Sequence, residues 1–194
     1  MISKRFSDAV TIVNAMHAGH QRKGTEIPYL SHLLAVASLV LKDGGDEVEA
    51  IAGLFHDAVE DQGGLPTLGF IRGSFGDRVA DIVLACTDAT VSPKPPWEQR
   101  KRAYIEHLKT RPEDVLRVSN ADKLHNLRCI ASDYATVGET LWERFSASRE
   151  QTLWYYRELS SIFTTRRPDS FLGRDLASTL KAIEISTENL SRKL

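Results

Sequence analysis

The sequence predicts an all-α protein, a single-domain helical bundle of about eight to ten helices. Apolar residues recur at helical spacing in one segment after another, and glycines and prolines separate these segments. No stretch shows the alternation of apolar and polar residues between hairpin turns that a sheet requires. The 194 residues suffice for a substantial core, and no linker or repeat divides them, so we expect one domain over residues 1–194.

In the N-terminal part, three helices are expected. The first begins at Ser7 as N-cap and ends near Gly19, and a polar loop follows it. The second covers residues 29–42, where a broad apolar face predicts burial. Asp46, followed three residues later by Glu49, resembles a capping box, so a third helix should begin there and continue to residue 61.

Six further helices are expected, and their bounds are about 67–74, 77–88, 97–110, 113–134, 139–164 and 170–190. Three prolines mark residues 89–96 as the clearest loop of the chain. The last segment is amphipathic, which favours a packing role for the C-terminal helices over residues 139–190.

Composition excludes several classes of protein. A net charge of −1 gives no general attraction to nucleic acid or to anionic membranes, so we expect neither as a partner. The N-terminus lacks a signal-peptide pattern and no segment has the apolar length of a membrane span, which indicates a cytoplasmic protein. Cys86 and Cys129 fit no disulfide framework or zinc spacing, so we expect reduced thiols.

The third predicted helix carries an unusual group of polar side chains. His56, Asp57, Glu60 and Asp61 share one stripe at helical spacing, opposite an apolar face. Desolvating such groups is costly unless a cation or hydrogen-bond partners receive them. An acidic helix end facing water is the simpler interpretation, and residues elsewhere in the chain decide against it.

Those residues are His32, in the first turn of the second helix, and Asp122, in a mostly apolar helix where Asn126 shares its face. With His56 and Asp57 they make two imidazoles and two carboxylates from three helices. This donor set suits Mn²⁺, Fe²⁺, Zn²⁺ or, less readily, Mg²⁺. Four protein ligands leave positions for water and a substrate oxygen, which is typical of a catalytic site.

The order His32, His56-Asp57, Asp122 resembles the signature of the HD metal-dependent phosphohydrolase superfamily. More narrowly, the chain is similar to RelA/SpoT-type alarmone hydrolases, in particular the small stand-alone ones. The supporting stretches run in family order from about residue 17 to 130; they are HAGHQRKG at 17–24, PYLSH at 28–32, LFHDAVED at 54–61, FGDRV at 75–79 and ADKLHNLR at 121–128.

The resemblance implies an HD-type helical fold and a role for each site residue. His32, His56, Asp57 and Asp122 would hold the metal, expected to be Mn²⁺, and Glu60 and Asp61 would position and deprotonate the attacking water. Arg22 and Lys23 would bind the nucleotide, Asn126 would bond its ribose or phosphate, and Tyr156 would stack on its base. The other histidines are expected to be structural; they are His17, His20, His107 and His125.

The implied function is hydrolysis of the 3′-pyrophosphate of guanosine tetra- or pentaphosphate, without a synthetase domain. The chain departs from the residues that are usual in this family at Ser31, Leu33, Ser119-Asn120 and Cys129. These differences leave the recognition of the base and the ribose open. The alternatives are an adenosine alarmone, a nucleoside 5′-phosphate or the 2′-phosphate of NADPH as substrate. A catalytically silent nucleotide-binding or regulatory domain is the alternative from another class. The oligomeric state stays open.

Overall fold

The computed structural model describes residues 2–88 and 93–191, and the all-α prediction is confirmed. The described residues form ten α-helices and one 3₁₀ helix, with a single isolated bridge between Gln21 and Pro28 in place of any strand. The helices are α1 (Lys4–Met16), α2 (Leu30–Lys42), α3 (Glu47–Phe55), α4 (Ala58–Asp61), α5 (Leu65–Phe75), α6 (Asp77–Cys86), α7 (Trp97–Leu108), α8 (Glu113–Val137), the 3₁₀ helix (Gly138–Arg144), α9 (Arg149–Arg166) and α10 (Phe171–Ser191).

Helices α2, α3 and α8 form the centre of the bundle and pack against one another. Their inward side chains are fully buried, for example Leu33 of α2, Ile51 of α3 and Leu124 of α8. Helix α10 covers α8 and α9. Because α2, α3 and α8 are also the segments that carry the candidate site, its side chains are attached to the most firmly packed part of the chain.

Two helix starts test the capping predictions. Asp46 caps α3 through a complete capping box, in which its side chain accepts from the Glu49 backbone N–H and the Glu49 carboxylate accepts from the Asp46 N–H. The prediction for α1 was wrong by one turn, since the Ser3 hydroxyl accepts from the Arg5 N–H and the helix begins at Lys4. Ser7 lies within that helix.

The third predicted helix is interrupted. Helix α3 ends at Phe55, His56 and Asp57 form a turn, and α4 is a single turn from Ala58 to Asp61. Asp57 has φ −97° and ψ −6°, which lies in the bridge region between the helical and extended basins. The prediction of one continuous helix to residue 61 is therefore wrong, because a turn at residues 56 and 57 interrupts it.

The predicted helix over residues 139–164 is divided as well. Its first part is the 3₁₀ helix, and α9 begins only at Arg149. A second capping box, between Ser148 and Gln151, provides the hydrogen bonds that start α9. Of the predicted loop over residues 89–96, residues 89–92 lie outside the described part of the chain. Every helix in the described part is too short or too polar to cross a lipid bilayer.

Candidate active site

A cavity of about 620 Å³ opens between the loop after α1 and helices α4, α7, α8 and α9. Eight of the ten predicted site residues line it; they are Arg22, Lys23, Asp57, Glu60, Asp61, Asp122, Asn126 and Tyr156. The other two, His32 and His56, are buried and contact the carboxylates of Asp57 and Asp122. The fold thus brings all ten predicted residues to one site, while their roles stay predictions.

The two imidazoles and two carboxylates converge at the inner end of this cavity. The Nε2 atoms of His32 and His56 lie 3.2 Å apart. Asp122 Oδ1 is 3.3 Å from His32 Nε2 and 3.4 Å from His56 Nε2. Asp57 Oδ2 is 3.0 Å from His56 Nε2 and 3.7 Å from His32 Nε2. Four donor atoms from three segments therefore surround one point.

The turn after α3 carries two of these donors. In a continuous helix, consecutive side chains project about 100° apart around the axis. At residues 56 and 57 the helix gives way to a turn, where His56 Nε2 and Asp57 Oδ2 lie 3.0 Å apart.

Further hydrogen bonds orient each donor. The His56 Nδ1 lies 2.8 Å from the Gly53 carbonyl, which can only accept, so a neutral His56 has its proton on Nδ1 and its lone pair on Nε2. The Tyr29 hydroxyl donates to Asp57 Oδ2. Asp122 accepts from Lys123 Nζ at 2.5 Å and from Asn126 Nδ2 at 2.6 Å. Such outer partners hold ligand side chains in one orientation.

The charges in the cluster depend on one another. Burial opposes ionisation of Asp122, but the charge of Lys123 and the neighbouring imidazoles hold its pKa well below the usual range. The pKa of Asp57 is lowered in the same way, chiefly by His56. Burial also opposes protonation of His56, yet the two carboxylates raise its pKa well above the ordinary value. Two ionised carboxylates in a buried site attract positive charge.

Glu60 and Asp61 lie on α4 at the edge of the cavity, and their surroundings differ. The Glu60 carboxylate accepts from Lys94 Nζ at 2.6 Å and from the Asp88 backbone N–H at 3.4 Å. The Asp61 side chain is exposed at the edge of the cavity. Partial desolvation of its carboxylate, followed by the negative charges of Asp57 and Glu60, raises the pKa of Asp61 to about 6. Glu60 is therefore paired with a cation, whereas the pKa of Asp61 lies in the range that suits a general base near neutral pH.

The predicted nucleotide-binding residues Arg22, Lys23 and Asn126 also line the cavity. Arg22 Nη2 donates to Asn126 Oδ1 at 2.6 Å, and its guanidinium lies 5.6 Å from the centre of the Tyr29 ring. Asn126 thus connects Arg22 to Asp122. The Lys23 ammonium lies 5.9 Å from the Phe145 ring and has no acidic partner among the described residues.

Two tyrosines of α9 form the aromatic part of the cavity. Tyr156 and Tyr155 are both buried, with ring centres 5.8 Å apart, and both line the cavity. The Tyr155 hydroxyl is buried without a hydrogen-bond partner in the described part of the protein. A buried hydroxyl of this kind offers a ligand group a hydrogen bond that the protein does not already use.

Comparison with known proteins decides the family. A family model described as "HD domain" matches residues 9–153, which is most of the chain. The chain belongs to the HD-domain family.

Relatives of this HD domain include enzymes of known name. The Xenopus tropicalis guanosine-3′,5′-bis(diphosphate) 3′-pyrophosphohydrolase MESH1 is 37% identical over 131 residues, which are 63% of this chain and 70% of that protein. The Homo sapiens protein of the same name is 34% identical over 124 residues, which are 62% and 66% of the two chains. A probable GTP pyrophosphokinase of Mycobacterium leprae is 34% identical over 122 residues, but the match covers only 15% of that longer protein.

Two solved structures resemble this HD domain. The crystal structure of lmo0812 from Listeria monocytogenes EGD-e aligns with a TM-score of 0.69 at 30% identity, covering 78% of this chain and 97% of that one. The structure of a metazoan SpoT orthologue that hydrolyses ppGpp aligns with a TM-score of 0.73, covering 93% and 96%. At 23% identity, the second alignment shows a shared fold.

The donor set of this HD domain fits a metal ion. His32, His56 and Asp57 each offer one ligand atom, and these atoms lie within 4.8 Å of one another. Asp122 Oδ1 adds a fourth donor within 3.4 Å of both imidazoles. Two nitrogens and two hard oxygens, with Asp57 and Asp122 open to the cavity, are a set that first-row divalent cations accept.

His125 is the clearest residue that sequence reasoning misplaced. It was expected to be structural, but its Nδ1 lies 2.8 Å from His32 Nδ1 and its side chain lines the cavity of the HD domain. Burial, followed by the charges of His32 and Arg22, lowers the pKa of His125 to about 4. The signal was present in the spacing, because His125 follows Asp122 by three residues and so lies on the same helix face.

Tyr29, Lys123 and Lys101 were also missed. Tyr29 and Lys123 contact the two carboxylates directly, and Lys101 lies 5.1 Å from the Tyr155 ring while its ammonium pairs with Asp88 at 3.0 Å. Tyr29 and Lys123 stand within the quoted motif stretches, so their position next to the histidine and aspartate was the available clue. Lys101 stands in the stretch EQRK at 98–101, which also resembles the small stand-alone hydrolases, and it reaches the cavity through the packing of α7 on α9.

Proposed function

We propose that this HD domain is a metal-dependent hydrolase of guanosine 3′,5′-bis(diphosphate) and its pentaphosphate, releasing pyrophosphate from the 3′ position. The observation that carries the proposal is the convergence of His32, His56, Asp57 and Asp122 at the end of a cavity of about 620 Å³. The names of the MESH1 relatives supply the substrate. The adenosine, nucleoside 5′-phosphate and NADPH alternatives remain in the same reaction class.

In this proposal the four convergent residues hold a divalent cation, and Mn²⁺ is the ion we expect. A divalent cation bound there supplies positive charge that polarises a phosphoryl oxygen and lowers the pKa of a nearby water. Asp61, with a pKa of about 6, accepts the proton of the attacking water near neutral pH. Glu60, held by Lys94, positions that water from the same helical turn.

The remaining wall residues account for substrate binding. Lys23 is the cation we assign to the substrate phosphates, since it has no acidic partner among the described residues. The Arg22 guanidinium lies 5.6 Å from the centre of the Tyr29 ring and donates to Asn126, and a guanidinium held at the cavity in this way can stack on a base. Tyr156 closes the cavity on the α9 side.

We also propose that residues 1–194 act as one domain. The family model ends at residue 153, but Tyr155 and Tyr156 of α9 line the same cavity as Asp57 and Asp122. The C-terminal helices therefore support the site as well as the core.

The test is to strip the purified protein with a chelator, add Mn²⁺, and incubate it with guanosine tetraphosphate. We expect pyrophosphate and guanosine diphosphate in equal amounts, and no turnover before Mn²⁺ is added. The control variant is His107→Ala, which removes an imidazole outside the cavity and should leave turnover unchanged. The same assay is run with an adenosine alarmone, nucleoside 5′-phosphates and NADPH.

Three results would contradict parts of the proposal. If the protein releases phosphate from another nucleotide but no pyrophosphate from guanosine tetraphosphate, the proposed substrate is wrong and the assignment as a hydrolase stands. Binding of the nucleotide without turnover of any compound would favour a silent nucleotide-binding domain. Full turnover after chelation would overturn the role of the metal.

A further inference from the structure

His125 and His32 make a contact that the proposed reaction does not explain. The two Nδ1 atoms lie 2.8 Å apart, and the ring centres lie 4.8 Å apart. Two ring nitrogens at this distance share one proton, so one nitrogen donates and the other accepts. Among the described residues, His125 is the hydrogen-bond partner of His32 Nδ1.

The other nitrogen of His32 determines the direction of this hydrogen bond. Nε2 faces His56, Asp57 and Asp122, which is the point where the proposed cation lies. An imidazole nitrogen must keep its lone pair to bind a cation, so the proton of neutral His32 must be on Nδ1. His32 Nδ1 then donates, and His125 Nδ1 accepts.

His32 and His56 differ in the group that accepts the proton of the ring nitrogen facing away from the metal site. The backbone carbonyl of Gly53 fixes the proton of His56, and no side-chain substitution removes that acceptor. His32 depends instead on a side chain, His125. Cys129 Sγ lies 3.8 Å from the same His125 nitrogen, and a thiol is only a weak donor, so this nitrogen remains available as an acceptor.

We propose that His125 is a positioning residue, which accepts the Nδ1 proton of His32 and so directs the Nε2 lone pair of His32 to the metal. This inference rests on the metal site of the proposed function and is independent of the substrate. It predicts that metal affinity depends on an acceptor at residue 125. Outer partners of ligand histidines typically contribute about 10–100-fold to metal affinity.

The experiment compares two variants of nearly equal shape. His125→Asn keeps an acceptor near the place of Nδ1, and His125→Leu has the same branching without one. Mn²⁺ alone is titrated into each chelator-stripped protein, and bound ion is measured by electron paramagnetic resonance. Thermal unfolding is recorded in parallel. Cys129→Ala is the control, since it removes the other neighbour of the His125 nitrogen and should leave affinity unchanged.

We expect His125→Leu to bind Mn²⁺ about 10–100-fold more weakly than the unmodified protein, and His125→Asn to recover most of the loss. Unchanged affinity in His125→Leu would overturn the inference. Equal losses in both variants would overturn it too, because packing rather than the acceptor would then be responsible. Should the unmodified protein itself fail to bind Mn²⁺, the proposed metal site is wrong, and that failure is distinct from the other two.

Discussion

Among single residues, Asp61 has the protonation equilibrium that matters most for the proposed reaction. Its pKa is raised from 3.8 to about 6, so below that pH the carboxyl carries its proton and cannot accept another. We expect kcat/KM to fall as the pH drops through about 6. Asp61→Asn should lower kcat by about 10²–10⁴-fold and remove this acidic limb. Rates measured from pH 5 to 8 test both expectations.

The control for that experiment is Asp77→Asn, which removes an exposed carboxylate paired with Arg72 outside the cavity. Its rates should match the unmodified protein at every pH. An Asp61→Asn protein that keeps at least half of the activity would show that another group takes the proton.

Lys23 supports a second prediction for a single residue. Its ammonium lines the cavity and has no acidic partner among the described residues, so it has a free charge for phosphate. Lys23→Met should raise KM by roughly 10-fold or more while kcat changes little, since a hydrogen bond to a charged group contributes about 1.5–3 kcal/mol. Steady-state kinetics separate the two constants. Lys42→Met, whose ammonium lies over Phe171 away from the cavity, should leave KM unchanged.

Among the helices, the close contact of α2 and α3 at Gly53 holds the two histidines together. A Cβ at Gly53 would lie 3.4 Å from Val36 Cγ1 and 3.5 Å from Ala37 Cα, which is ordinary van der Waals contact. Gly53→Ala should therefore be tolerated, with a gain of about 0.5–1 kcal/mol from helix propensity. Gly53→Leu should lose about 1–3 kcal/mol through overpacking and weaken Mn²⁺ binding, because α2 carries His32 and α3 leads to His56.

Urea unfolding and Mn²⁺ titration measure both Gly53 variants, and the alanine variant is the matched control. Equal Mn²⁺ affinity in the two variants would show that the spacing of α2 and α3 does not determine the site.

For the molecule as a whole, a buried network around Asp43 connects the site helices to the C-terminal ones. The Asp43 carboxylate at the end of α2 accepts from Arg167 Nη2 at 2.6 Å, from Ser170 Oγ at 2.9 Å and from the Phe171 N–H at 3.1 Å. Asp43→Ala leaves Arg167 buried without its charged partner, so we expect a loss of about 3–5 kcal/mol. Asp8→Ala, in an exposed pair with Lys4, should change stability by at most about 0.5 kcal/mol.

Urea unfolding at constant pH gives both values. A loss for Asp43→Ala no larger than that for Asp8→Ala would show that water replaces the carboxylate in this network.

The sequence was enough to predict the helical class, most helix bounds and ten residues that the structure brings together at one cavity. The helical class and the helix bounds follow from local signals, namely the 3.6-residue period of apolar side chains and the capping box at Asp46. The site residues follow from the order of the His and Asp motifs and its resemblance to the HD superfamily.

The tertiary structure alone decided how the site is assembled. It placed His125 against His32, and it placed the Arg22 guanidinium against Asn126 of α8. The physical reason is that each of these contacts depends on the packing of distant helices against one another. Helical periodicity predicts which face a residue is on, but it contains no information about what the facing helix presents there.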